Sequence, residues 1–111
     1  MIEKSTIKLS DLRYYPPGKS IINRLREDKS SGTLTVNLHG LSQFIAIEYL
    51  LALWEVIESI RNKQIQHLEI IHGYRHGNAL KGLVQLFFED KPCIISDDTQ
   101  NPGSTHIFLI K

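Results

Sequence analysis

A chain of 111 residues, 41% hydrophobic and 23% charged, is sized and composed for one soluble globular domain rather than several. The net charge of +1 hides a division: residues 1–32 hold seven Lys/Arg against four Asp/Glu, while the remainder holds six against eight. A basic surplus therefore sits in an N-terminal arm and the body is mildly acidic, which excludes a uniformly basic nucleic-acid coat.

Taken in chain order, Met1–Thr6 has no apolar signal-peptide core, and cytoplasmic residence is expected. Tyr14-Tyr-Pro-Pro-Gly18 reads as a turn or extended segment. Ile21, Ile22 and Leu25 fall at helical spacing within Lys19–Asp28, which predicts one short amphipathic helix in the arm. Lys29-Ser-Ser-Gly32 breaks it. Thr33–Leu38 alternates, with Leu34, Val36 and Leu38 on one face, and predicts a strand.

Ser42 is a suitable N-cap for a long helix whose apolar stripe runs through Phe44, Ile47, Leu50/Leu51, Trp54, Ile57 and Ile60. Glu48, Glu55 and Glu58 interrupt that stretch, so it does not span a membrane. His67–Ile71 predicts a second strand. A second helix opens at Gly77-Asn78 and buries Leu80, Leu83/Val84, Phe87 and Phe88. Pro92 ends it, Cys93-Ile-Ile forms a third strand, and Thr105–Ile110 a fourth after a polar loop. Cys93 is the single cysteine, which excludes an internal disulfide and fits a reducing compartment. The expected fold is α/β: a two-layer β-α-β-α-β-β sandwich with a mixed four-stranded sheet in residues 33–111, preceded by a basic arm over residues 1–32.

Two predicted strands end in His-Gly and feed helices: His39-Gly40 and His72-Gly73. Strands followed by crossover helices lie parallel, and parallel neighbours bring their carboxyl ends together at the edge where open α/β sheets bind ligands. His39 and His72 are thus expected on one edge, beside a glycine-punctuated loop, His72–Gly77, that runs into a helix. Histidine suits general acid–base work or donation to a phosphate oxygen. The free N–H groups of a helix start attract phosphate, and Arg75 and Lys81 add charge there. His39, His72 and His76 lack the cysteine or carboxylate spacing of a zinc site, so no metal ligands are assigned. There is no nucleophile-elbow signature and no dinucleotide glycine motif.

Together these residues resemble the Smr (small MutS-related) domain. That family has a strand end of the form Leu-Asp-Leu-His-Gly, a long helix, a second strand closing in His-Gly-x-Gly, and a helix beginning with a small residue and leucine. The corresponding stretches are Val36-Asn37-Leu38-His39-Gly40-Leu41 and Ile70-Ile71-His72-Gly73-Tyr74-Arg75-His76-Gly77-Asn78-Ala79-Leu80. The resemblance covers roughly residues 33–111. It implies binding of structured nucleic acid, RNA ahead of DNA, and endonuclease activity on one or the other, with a connection to stalled translation and the ribosome.

On that basis the catalytic candidates are His39, Asn37 and His72. The nucleic-acid contacts are Gly73, Arg75, His76, Gly77, Asn78 and Lys81. A divalent metal is compatible with such cleavage, but the sequence names no cofactor. The family's Asp is Asn37 here, and Tyr74-Arg75-His76 widens the second motif. Asn is neither a carboxylate base nor a charged metal ligand, so this substitution separates binding from cleavage. The alternative reading is a non-catalytic adaptor whose arm docks on a ribosome-associated protein.

Overall fold

The computed structural model describes residues 25–60, 65–73 and 79–110. Their order is β1 (Leu25–Asp28), β2 (Thr33–Asn37), α1 (Gln43–Ile60), β3 (His67–Ile71), α2 (Ala79–Phe88), β4 (Cys93–Asp97) and β5 (Ser104–Leu109). The strands form one mixed sheet in the order β1-β2-β3-β5-β4. β2 and β3 are parallel, as expected of strands joined through a crossover helix, and every other pairing is antiparallel.

The sheet has five strands, not four. Leu25–Asp28, expected as the end of a helix, is an edge strand paired with β2, Leu25 opposite Val36 and Asp28 opposite Thr33. The rest of the expected arm, residues 1–24, lies outside the described residues. The predicted break is the hairpin turn itself: the Gly32 N–H donates to the Asp28 carbonyl at 2.9 Å with Gly32 at φ 71°, and Ser30 donates twice to the Asp28 carboxylate. Leu25 is buried in the common core, so the structural unit begins before residue 33.

Alternation divides the sheet. Leu34, Val36, Leu68, Ile70 and Ile107 are fully buried and share one core with Tyr49, Leu50, Leu53 and Val56 of α1 and Val84, Phe87 and Phe88 of α2. Each such side chain contributes roughly 1.5–3 kcal/mol relative to exposure. The opposite face carries Thr33, Thr35, His67, Glu69, His106 and Phe108, none of them buried.

The buried face of α2 is the expected one. That of α1 is partly so: Leu50 is buried and Ile47, Trp54 and Ile57 pack against the core, but Phe44 is 67% and Leu51 57% exposed, and Ala46, Tyr49, Leu53 and Val56 are also inside. Apolar residues surround this helix, so spacing alone selects its buried stripe poorly. Cys93 is partly buried against α2, where its thiol donates to the Phe88 carbonyl, and burial raises its pKa. Among the described residues, no helix is long and apolar enough to cross a membrane.

Candidate functional site

The carboxyl ends of β2 and β3 meet as the sequence predicts. Asn37 pairs with Ile71, and the Leu38 N–H continues the ladder to the Ile71 carbonyl at 2.7 Å. Both chains then turn through glycines with positive φ, Gly40 at 88° and Gly73 at 81°, where an L side chain would be strained. At Gly73 a Cβ would also fall into the His39 ring, so the two His-Gly elements are in direct contact. His39 is exposed.

Asn37 has a definite task at this edge. Its side-chain oxygen accepts the His39 N–H at 2.9 Å, an Asx turn that fixes how the chain leaves β2. A carboxylate oxygen could make the same bond, so Asn preserves the local geometry while withholding negative charge. Beyond the turn, Ser42 caps α1 by accepting the Ile45 N–H at 3.2 Å.

His72 differs from His39. It is 3% exposed and both ring nitrogens are engaged, Nδ1 with the Gly73 carbonyl and Nε2 with the Thr105 hydroxyl, each at 2.8 Å. A carbonyl only accepts, so Nδ1 carries the hydrogen. In the neutral ring Nε2 then accepts from Thr105. Burial lowers the His72 pKa, the Lys81 charge adds to the shift, and the Gly73 bond opposes it. The ring ties the Gly73 turn to β5, and the Gly103 carbonyl reinforces the tie by accepting the N–H groups of His72 and Gly73 at 2.8 and 3.0 Å. Gly73 is therefore placed by three separate contacts.

Lys81 lies in the first turn of α2, 3.7 Å from an Asp97 carboxylate oxygen at the end of β4, so a phosphate would compete with Asp97 for it. Arg75, His76, Gly77 and Asn78 lie outside the described residues.

Sequence reasoning missed a second polar cluster, on the sheet face away from the core. With both rings neutral, its hydrogen bonds run in one direction. The Thr33 hydroxyl donates to His67 Nδ1 at 3.1 Å, His67 Nε2 to His106 Nδ1 at 2.8 Å, and His106 Nε2 to the Asp98 carboxylate at 2.9 Å. The two imidazoles and Phe108 stack. Burial, then the neighbouring His106, lowers the His67 pKa, and the His106 hydrogen bond lowers that of Asp98. Glu69 sits opposite His106 in the β3–β5 register. The sequence signal was the alternation of polar Thr33, Thr35, His67, Glu69 and His106 along three strands, but only the register assembles them.

No known family model, curated protein or solved structure matches this chain.

Proposed function

We propose that this chain is an Smr-like nucleic-acid-binding domain that engages a sugar–phosphate backbone, RNA ahead of DNA, at the joined ends of β2 and β3. The observation that carries this reading is the contact of the His39 ring with Gly73, which makes the two motif elements one site. The resemblance supplies the ligand class; the contact, the exposed imidazole and the start of α2 nearby support it. In this reading the sheet and helices form the two layers expected from the sequence, supported by the single core that they share.

His39 is the exposed imidazole assigned proton transfer in this reading, and Asn37 holds its backbone through the turn. His72 acts as a positioning residue because both of its nitrogens are occupied. Gly73 and Lys81, with Arg75, His76, Gly77 and Asn78 taken from the sequence, are the assigned phosphate contacts, and any metal used in cleavage would have to be held without a carboxylate at residue 37. Endonuclease activity belongs to this proposal through His39, as do cytoplasmic residence and a translation-associated role. The adaptor reading keeps its place through the basic surplus of residues 1–32.

The test is binding and cleavage of labelled single- and double-stranded RNA and DNA, with and without divalent metal, by the wild type and by Arg75→Ala/Lys81→Ala. Weakened binding with a shallower salt dependence in the double variant supports the edge as the interface. Unchanged affinity and salt slope would move the interface elsewhere. No binding to any of the four nucleic acids would favour the adaptor.

A further inference from the structure

On the sheet face opposite the core, Glu69, Asp98 and His106 each present a ligand atom, and these atoms lie within 4.8 Å of one another. We propose that Glu69, Asp98 and His106 form a binding site for a first-row divalent metal of the zinc class. Two carboxylate oxygens and one imidazole nitrogen match the donors such ions take and neutralise the charge of a dication. With metal–ligand distances of about 2.1 Å, donors around a tetrahedral ion stand roughly 3.4 Å apart, so small side-chain rotations close the set.

The surroundings are those of a prepared site. Metal-bound side chains are oriented by partners on their other atoms, and all three have such partners here. The Thr35 hydroxyl donates to Glu69 Oε1 at 3.4 Å. The N–H groups of Gln100 and Asn101 donate to Asp98 Oδ1 at 2.9 and 3.0 Å, leaving Oδ2 to face His106. His106 Nδ1 bonds to His67, which in turn bonds to Thr33.

A separate observation lies on the same face. Ser104, one alternation along β5 from His106, is 1% exposed, and its hydroxyl has no hydrogen-bond partner among the described residues, so an unmet polar group is buried beside the cluster.

Binding has a defined proton consequence. The ion replaces the hydrogen on His106 Nε2, so His106 must carry its hydrogen on Nδ1 and donate it to His67 Nε2. His67 then donates from Nδ1 to Thr33, and the whole chain of hydrogen bonds reverses. The site lies on the opposite side of β5 from Thr105 and His72, and it is independent of the nucleic-acid reading.

The experiment titrates the full chain with Zn²⁺ by calorimetry and with Co²⁺ by visible absorption, and follows imidazole ¹⁵N shifts. One equivalent should bind, raise Tm by about 5–10 °C at saturation, and switch His106 to the Nδ1–H form. Asp98→Asn and Glu69→Gln should each weaken binding by about 10-fold or more, while His39→Ala/His76→Ala should leave it unchanged. Absence of binding, or binding that survives Asp98→Asn and Glu69→Gln in folded protein, overturns the proposal. Loss of binding in His39→Ala/His76→Ala alone would place the metal at the strand-end edge and overturn it equally.

Discussion

Adjacent residues of β5 serve two unlike histidine environments. Thr105 faces the core and holds a buried, doubly bonded His72; His106 faces the other way and stacks on His67 in a half-exposed cluster reaching Asp98. The residue type is the same, the sheet is the same and each ring has both nitrogens bonded, yet strand parity decides whether the imidazole is buried in the core or sits on the half-exposed face. His39, just past the end of β2, is a third case: it is exposed, its backbone is held by the Asn37 turn and its ring lies against Gly73.

The comparison breaks first at His72. Replacing it with Ala removes buried volume and strands the Thr105 hydroxyl and Gly73 carbonyl, so urea denaturation should show a loss of about 2–4 kcal/mol. His106→Ala, on the open face, should cost roughly 1 kcal/mol or less. Equal losses would mean that the two faces are not energetically distinct.

Gly73→Ala comes next. It forces an L residue to a φ of 81° and drives a methyl into the His39 ring, so a loss of about 1–3 kcal/mol is expected. The His39 ring resonances should shift with it. A stable variant with unmoved His39 signals would dissolve the contact on which the strand-end site rests.

Acidity sharpens the contrast further. The folded pKa values of His72 and His67 are both depressed, so below the unfolded value of about 6.5 the unfolded chain binds more protons than the folded one. Their contribution is complete above that pH and is lost as pH falls through the folded values. His72→Gln and His67→Phe should each flatten the slope of stability against pH between about 7 and 5. If neither does, burial of these rings does not govern their titration.

The smallest stability effects belong to the turn. Asn37→Asp keeps an oxygen for the His39 N–H, and His39→Ala removes an exposed ring, so each should change stability by only about 0.5 kcal/mol. Their effect on RNA cleavage is the informative measurement. Asn37→Asp should raise the rate if a carboxylate is the missing group, and His39→Ala should abolish whatever rate exists.

Much of this architecture was legible because periodicity and order carry it. The parallel β2–β3 pair followed from two strand-to-helix transitions, and the shared histidine edge from the pair. Leu25-Arg-Glu-Asp28 was illegible for a physical reason: an edge strand with one apolar residue gets its identity from its partner and its turn, whereas Ile21, Ile22 and Leu25 satisfy a helical period. The buried face of α1 was legible through Ile47, Leu50, Trp54 and Ile57 but not at its edges, because Phe44 and Leu51 are as apolar as Leu50 and Leu53. The cluster of His67, His106 and Asp98 could not be assembled from spacing, since it depends on β5 inserting between β3 and β4. That insertion is a long-range event with no local signature.

The same insertion governs when the domain can form. β5 follows the other described strands in chain order yet lies inside the sheet, where it is the hydrogen-bonded neighbour of both β3 and β4. During synthesis, a chain that has not reached Gly103 and Ser104 leaves β4 without its partner and the His72 and Gly73 N–H groups without their acceptor. Contacts so distant in sequence carry a loop-closure cost before they reward it, and they slow folding. On the ribosome, then, neither histidine environment can be completed until β5 has emerged from the exit tunnel. A pause ahead of Ser104 would hold a half-sheet with exposed strand edges, vulnerable to aggregation and to proteases.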